Sequence, residues 1–469
     1  IITFICNDET VTAQHNSAAT LLDFIRQTIK LTGTKEGCRE GDCGACSVLL
    51  GKLVNDKMVY QSVNSCLLPL NSVIGKHVVT IEGLNDDNLS LIQKSFIEEG
   101  ATQCGFCTPG FIISFTGHLL SSEHIDKTNA ADAIAGNLCR CTGHATIHRA
   151  MEKVIANIKA NSSKKFFSVS ELIDKNIIPS YFNEIPSRII ELKKNITQPS
   201  SENGNTHIGG GTDLYVQRGR EIAKGSFDFV TDDSDNKIYL EDNKCFLTAS
   251  TTVSEFSESE IIEKIIPDVK EYTKLFGSLP IRNRATLGGN IINASPIADM
   301  TNILLALDST LIFQNGTQTR EIKLEHFYKG YKLLDKLPEE ILKTIYFNIP
   351  GGNYKIKYEK VSKRTYLDIA SVNSTILISI IDDKIEYVRI AAGGISPIPM
   401  VLKNCSDFLT GKTIGPAVIL EAANIANKEI SPISDARGSA DYKRLLLRQL
   451  ILAHFLKLFP AKITEEIAV

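Results

Sequence analysis

The sequence has no apolar run of the ~18 residues that a membrane-spanning helix requires. It has no surplus of either charge: 51 Lys and Arg stand against 54 Asp and Glu, a net charge of −3. That balance gives no reason to expect nucleic acid or an anionic membrane as a partner. The first residues lack the basic start and apolar stretch of a secretory signal and alternate like a strand instead. There is no internal repeat and no low-complexity tract, and the nine histidines show no metal-ligand spacing. What is left is an ordinary globular mixture of 43% apolar and 22% charged residues. The expectation is a cytoplasmic chain whose 469 residues suffice for about three domains.

The pattern divides the chain. Residues 1–82 read as short strands around one helix, Ser17 to Arg26, with strands at Val48–Leu50 and Val78–Ile81. Residues 83–159 read mainly as helices: Leu89 to Glu99, Gly110 to Leu120, Asn129 to Ile134 and Ile147 to Lys159. Residues 160–166 are polar and read as a linker. Mixed strands and helices with glycine-rich turns follow over 167–350. A seam falls at Ile349–Gly352, and 351–469 holds strands (Asn373 to Ile381, Tyr387 to Ala392) and helices (Pro416 to Glu429, Asp441 to Leu458).

Eleven cysteines in a large intracellular chain favour metal sites over disulfides. Cys38, Cys43 and Cys46 are spaced C-x4-C-x2-C, and Cys66 follows, the plant-type ferredoxin arrangement. Three thiolates wrapping one side of a compact 2Fe–2S cluster must come from one tight loop, and the fourth closes the cage from elsewhere. Gly37, Gly41 and Gly44 suit a loop with unusual backbone angles and close approach to sulfur. The alternatives are a zinc site or buried free thiols, but zinc knuckles usually pair their cysteines. Cys104 and Cys107 form a C-x2-C, and Cys139 and Cys141 a C-x-C. Each is weak alone, and a lone C-x2-C could be a redox pair. Together they supply four thiolates beside helix N-termini, where negative charge is stabilised. Cys6, Cys245 and Cys405 are isolated and read as packing residues.

Gly209, Gly210 and Gly211 lie between a strand end, Thr206 to Ile208, and a helix start at Asp213. Such a loop can bring several N–H groups onto a diphosphate, with Thr212 or Asp213 as helix cap. The string is not G-x-G-x-x-G, so a Rossmann site is not read. An ordinary strand–helix turn is the alternative. A second such loop, Thr286, Leu287, Gly288, Gly289 and Asn290, suits a long dinucleotide better than one loop does.

The strings Gly37 to Cys46, Gln103 to Gly110 and Gly136 to Gly143 resemble the iron–sulfur half of the molybdenum hydroxylases. His144 departs from that pattern, where Tyr is usual, and lies outside the ligand set. His207, Ile208, Gly209, Gly210, Gly211, Thr212, Asp213 and Leu214, with Thr286 to Asn290 and Asn293 to Asp299, resemble the family's FAD domain. Gly330–Lys332, Leu337–Leu342, Lys360–Arg364 and Ser431–Tyr442 resemble its xanthine dehydrogenase group in particular. The resemblance implies an α+β multidomain fold: a β-grasp ferredoxin-like 2Fe–2S domain, a four-helix 2Fe–2S domain, an α/β FAD-binding domain and a C-terminal α+β domain. It implies Asp299 near the flavin's sugar chain, Phe276 against its ring, and FAD contacts at Leu337 and Lys360.

The resemblance further implies the smaller chain of a split, bacterial-type enzyme, with no catalytic residue of its own. A partner chain would hold molybdopterin and oxidise a purine, in an assembly of two small and two large chains. Electrons would pass through two 2Fe–2S clusters to FAD and on to NAD+. The Lys363–Arg364 pair reads as a solvated surface pair, with attraction of NAD phosphates as the alternative. Two other functions remain open: the same role in an enzyme of a different N-heterocycle or an aldehyde, and a cluster-only carrier or scaffold without flavin.

Overall fold

Alternating apolar residues make Ile2–Cys6 (β1) and Glu9–Ala13 (β2) an antiparallel hairpin. Ser47–Val54 (β3) and Lys57–Asn64 (β4) form a second hairpin, closed by Asn55 and Asp56, both at positive φ. His77–Val79 (β5) enters between them, parallel to β1 and antiparallel to β3. The sheet order is β2-β1-β5-β3-β4, with the helical turns of Leu21–Thr28 buried on it through Leu21, Phe24 and Ile25. This computed structural model describes residues 1–160, 164–196, 207–225, 227–230 and 236–464.

Helices Leu91–Glu98, Thr108–Ser121, Lys127–Ala133 and Ala145–Lys159 follow, close to their predicted bounds. Local signals set their starts: a Ser90–Gln93 capping box, Pro109 in the first turn of the second, and the Asp126 carboxylate capping the third. Phe96, Phe111, Phe115, Ile147, Met151 and Val154 form their shared core.

The expected linker at 160–166 does not separate two compact units, and its residues 161–163 lie outside the described ones. Beyond it, Phe167, Leu172, Ile178 and Phe182 return to the helical core, and Ile185 and Ile189 pack on Ile5. These apolar residues read in sequence as the start of the next domain, but their burial partners lie in the preceding one. The first unit therefore runs Ile1–Phe229 and takes in Ser278–Arg284. It ends in His207–Ile208 (β6) and Asp228–Phe229 (β7), a parallel pair bridged by the helix Thr212–Ile222.

The second unit is Val230–Gly277 with Ala285–Val469. Ile238–Glu241 (β8), Lys244–Thr248 (β9), Thr310–Asn315 (β10), Gln318–Lys323 (β11) and Ile341–Asn348 (β14) form an antiparallel sheet, order β11-β10-β14-β9-β8. Tyr328–Gly330 (β12) pairs with Leu333–Leu334 (β13). Residues 349–352 then lead, within the same unit, into a second antiparallel sheet. Tyr354–Val361 (β15), Val372–Ile381 (β16), Lys384–Gly393 (β17) and Met400–Val401 (β18) lie in that order. Helices Pro416–Glu429 and Ala440–Leu458 cover it through Ala422, Leu447, Ile451 and Phe455.

Two glycines test this packing. A Cβ on Gly110 would stand 2.3 Å from the Gly44 carbonyl oxygen, whereas one on Gly351 would meet nothing within 4 Å. Gly110→Val is expected to destabilise the first unit by more than about 2 kcal/mol, and Gly351→Ala to stay within about 0.5 kcal/mol. Thermal unfolding of the two variants beside the parent chain measures the difference.

Candidate functional site

The eight predicted ligand cysteines lie in two groups within the first unit. In the first, Cys38, Cys43 and Cys46 sit on the loop before β3, and Cys66 sits in the turn after β4. Arg39, at φ 59°, grips this loop by pairing with Asp23 and Glu36 at 2.5 and 2.6 Å. The Cys46 and Cys66 sulfurs are 3.4 Å apart, and the Cys38 and Cys43 thiols are hydrogen-bonded to each other. The Cys38 amide donates to the Cys43 sulfur at 3.4 Å, and the Glu40 amide to the Cys38 sulfur at 3.3 Å. The Cys43 thiol and the amides of Glu40, Cys43 and Asp42 pull the Cys38 thiol down to about 5, against its burial. A Cβ on Gly37 would lie 2.7 Å from the Cys43 sulfur, which is the steric reason for glycine there.

In the second group, Cys107 is the N-cap of the helix Thr108–Ser121, and Cys139 and Cys141 precede the helix Ala145–Lys159. The Cys104 and Cys141 sulfurs are 3.7 Å apart, and the Cys107 and Cys139 thiols are hydrogen-bonded. The Thr142 hydroxyl and amide donate to the Cys139 sulfur at 3.1 and 3.4 Å. Burial works against the Cys139 thiolate, but the Thr142 donors, with the Cys141 amide and the Cys107 thiol, together hold the thiol below its ordinary value. His144, at φ 67°, accepts the Cys139 N–H on Nε2 at 3.2 Å, and burial lowers the pKa of its ring.

Among the described residues no three His, Cys, Asp or Glu side chains converge on one ion. The eight thiols are instead paired two by two: 38 with 43, 46 with 66, 104 with 141 and 107 with 139. Two thiolates on one tetrahedral centre with bonds of about 2.3 Å stand roughly 3.8 Å apart. A 2Fe–2S cluster takes two thiolates at each iron, so two pairs per set is the donor arrangement that fits it.

The two groups are joined by residues that sequence reasoning passed over. The Leu138 N–H donates to the Cys43 carbonyl at 3.0 Å, and the Asn137 side chain to the Gly44 carbonyl at 3.1 Å. Only the string before Cys139 hinted at this. The β6–helix segment packs on the first group: Ile208, Tyr215 and Ile222 share an apolar cluster with Cys46, Cys66 and Leu67. The Tyr215 hydroxyl donates to the Ala18 carbonyl at 2.7 Å.

The first glycine loop, Gly209–Gly211, opens the helix Thr212–Ile222. The N-cap is Gly211, at φ 76° with no side-chain cap bond, not Thr212 or Asp213. A helix N-terminus opened by glycine backbone is suited to an anion. His207 lies 4.0 Å from Asp228, Ile208 is buried, Leu214 packs in the cluster with Cys46, and Thr206 lies outside the described residues.

The second loop, in the second unit, behaves differently. The amides of Leu287, Gly288, Gly289 and Asn290 already donate to Thr251 O, Ala249 O, Thr286 Oγ1 and Thr286 O. Gly288 is glycine because a Cβ would lie 2.7 Å from the Ala249 carbonyl oxygen. These bonds fold the loop, and the Asn290 side-chain oxygen accepts from the Thr301 amide and hydroxyl at 3.0 and 2.9 Å.

The second unit brings Asp299 and Lys360 together. Lys360 Nζ donates to Asp299 Oδ2 at 2.8 Å and to the Leu275 carbonyl, beside Phe276, at 2.7 Å. Tyr358 and Asn373, both missed in sequence, donate to Asp299 Oδ1 at 2.6 Å. Burial, then the Asp299 charge, pushes the Tyr358 hydroxyl well above its ordinary value. Leu337 stands apart in an exposed turn that Glu340 closes from the Leu337 amide at 2.9 Å. Lys363 and Arg364 are held by the carbonyls of Ala436 and Leu367.

Four family models match in succession. Residues 4–70 match a 2Fe–2S iron–sulfur cluster binding domain and 80–152 a 2Fe–2S binding domain. Residues 185–350 match the FAD binding domain in molybdopterin dehydrogenase, and 357–458 the CO dehydrogenase flavoprotein C-terminal domain. The chain is 29% identical to xanthine dehydrogenase of Emericella nidulans, over 86% of this chain and 34% of that protein. It is 27% identical to aldehyde oxidase 1 of Bos taurus, over 97% of this chain and 39% of that one. It thus spans little more than a third of the curated relatives it matches. Among solved structures, quinoline 2-oxidoreductase of Pseudomonas putida 86 is 22% identical with TM-score 0.50, covering 55% of this chain and 90% of that one. A reconstituted CO dehydrogenase of Oligotropha carboxidovorans is 21% identical with TM-score 0.51, at the same coverage.

The Asp299–Lys360 pair is nearly sealed from water, so removing one partner strands a buried charge. Lys360→Met is expected to cost about 3–5 kcal/mol, and Lys360→Met with Asp299→Asn to recover part of it. A double-mutant cycle by thermal or denaturant unfolding measures the coupling.

Proposed function

We propose that this chain, which belongs to the molybdenum hydroxylase family as its iron–sulfur and flavin portion, serves a purine-oxidising enzyme of the xanthine dehydrogenase type. Cys38, Cys43, Cys46 and Cys66 hold one 2Fe–2S cluster, and Cys104, Cys107, Cys139 and Cys141 hold the other. FAD takes contacts from the segments His207–Leu214 and Thr286–Asn290 and from Phe276, Asp299, Leu337 and Lys360. When bound, the clusters carry electrons singly and the flavin gathers two of them for hydride transfer to NAD+. The observation that carries this reading is the backbone hydrogen bond from the Leu138 N–H to the Cys43 carbonyl, which joins a neighbour of one thiol set to a ligand of the other.

The chain's own residues have distinct tasks. Thr142, the Cys38 amide and the Glu40 amide place hydrogen bonds on thiolate sulfurs and so set how readily each site accepts an electron. Phe106 and Leu138 are large exposed apolar residues beside the exposed Cys104 and Cys141. We assign that face to a molybdopterin-binding partner, in an assembly of two small and two large chains, because an electron donor must approach a cluster closely. Among the described residues no helix is long and apolar enough to cross a membrane. The mixed carboxylate–lysine–phenol cluster at Asp299 fixes the segment beside Phe276, where the flavin ring is assigned.

Electron paramagnetic resonance on the reduced, loaded chain tests the cluster assignment. Two signals are expected, with two irons for each thiol set. Cys43→Ala should abolish one signal and leave the other, and loss of both or of neither defeats the assignment.

The flavin assignment has its own test. Gly209→Val, which adds bulk at the half-buried edge of the first glycine loop, should lose FAD while both signals persist. With the partner present, that variant should reduce its clusters with xanthine yet fail to reduce NAD+. Full flavin content there rejects the loop, and aldehyde oxidation in place of xanthine oxidation by the parent complex rejects the purine substrate.

A further inference from the structure

We propose that His144 is a positioning residue for the second thiol set: its ring captures the Cys139 amide and so withholds an N–H···S bond that would raise that cluster's potential. The inference rests on the cluster assignment made above. It comes from a contrast between the two ligand loops. In the first, a ligand's own amide donates to sulfur, Cys38 N–H to Cys43 at 3.4 Å. In the second, the Cys141 amide likewise donates to the Cys139 sulfur, but the Cys139 N–H goes to His144 Nε2 at 3.2 Å. The acceptor role places the ring proton on Nδ1.

The ring is held for this task. His144 is the N-cap of Ala145–Lys159 in the left-handed region, φ 67°, a conformation that few non-glycine residues adopt and that histidine tolerates better than most. Its side chain makes no cap bond to its own helix, so it is available to Cys139. Its imidazole meets the Phe111 ring edge-on, centroids 5.4 Å apart, on the first helix after Cys107. Its own amide donates to the Thr142 hydroxyl at 3.4 Å, and that hydroxyl donates to the Cys139 sulfur at 3.1 Å. Cys139 is thus gripped at both ends, with its sulfur given donors by Thr142 and its amide taken by His144. Hydrogen bonds to cluster sulfurs shift potential upward by stabilising the more negative reduced state. A residue that removes one such donor keeps the reduced state less favoured, which suits a cluster that must pass its electron onward.

The test uses the full loaded chain, poised at a series of potentials and read by electron paramagnetic resonance. The parent must show two signals, and a single signal there rejects the cluster assignment rather than this inference. His144→Phe keeps an aromatic ring against Phe111 but cannot accept. It should raise the second cluster's reduced-to-oxidised ratio at fixed potential about two- to tenfold, the worth of one net hydrogen bond, with its signal shape altered and the first cluster unmoved. His144→Gly removes the acceptor while suiting the left-handed backbone, and should give the same rise even where the Phe variant folds badly. His144→Gln, which reaches about as far with an amide oxygen, should restore the parent ratio. An unchanged second-cluster ratio in both acceptor-free variants overturns the inference, as does an equal shift of both clusters. Loss of the second cluster in both variants also overturns it, since His144 would then only hold the loop together.

Discussion

One peptide hydrogen bond, from the Leu138 N–H to the Cys43 carbonyl at 3.0 Å, joins the two thiol sets, and the surrounding sequence is arranged so that it can form. The loops reach this distance only because Gly44 and Gly110 carry no side chain. A Cβ on Gly44 would lie 2.4 Å from the Gly136 carbonyl oxygen, and one on Gly110 2.3 Å from the Gly44 carbonyl oxygen. Asn137, almost wholly buried, then donates its amide to that same Gly44 carbonyl. A buried peptide group left unpaired costs about 1–3 kcal/mol, more than a made bond contributes net. The contact is therefore strict, and helix Thr108–Ser121 and the strand-rich half are held in register around it.

The second unit solves a different problem. It must keep polar groups in place where water is nearly absent. Asp299 receives three donors, from Lys360, Tyr358 and Asn373, and Lys360 also reaches the Leu275 carbonyl. A lone carboxylate or ammonium there would be too costly to stay ionised. Shared among four side chains, each charge meets an opposite charge or a directed dipole. Asn373 extends the network to Asn302 and so to Thr375, which ties the helix Asp299–Ala306 to the sheet that carries Lys360. A rigid polar cluster of this kind positions its neighbours without depending on loop conformation.

These two arrangements were unequally legible in the sequence. Ligand cysteines announce themselves because cluster geometry constrains local spacing, and helices such as Pro416–Glu429 show through period and caps. The Asp299 cluster was only half visible. Asp299 and Lys360 lie 61 residues apart and were read as separate contacts, while Tyr358 and Asn373 look like ordinary strand residues. Their relation is set by strand pairing, Lys360 opposite Asn373, which no local pattern reports. The second glycine loop is ambiguous in sequence for a related reason. Glycine can open a backbone to a ligand or let two backbones touch, and at Gly288 the neighbour is Ala249. The polar stretch at 160–166 looked like a domain boundary, because the apolar residues after it do not say which side they bury against.

Burial of the thiols gives the first unit a direction. Cys104 and Cys141 are exposed, with Phe106 and Leu138 exposed beside them. Cys46 and Cys66 are buried under Ile208 and Tyr215, on the strand and helix that carry the first glycine loop. An exposed pair suits exchange with a donor that docks and a buried pair suits hand-over to a group held by the same chain, since shielding from water lowers the reorganisation that accompanies each transfer. Between the two pairs lie Cys139, Leu138 and Cys43, linked by one covalent step and one hydrogen bond. Under the proposed function this ordering explains why the helical segment was fused after the ferredoxin-like one instead of beside an unrelated surface: only a shared peptide contact brings its ligand loop against Cys43 while leaving Cys104 and Cys141 open.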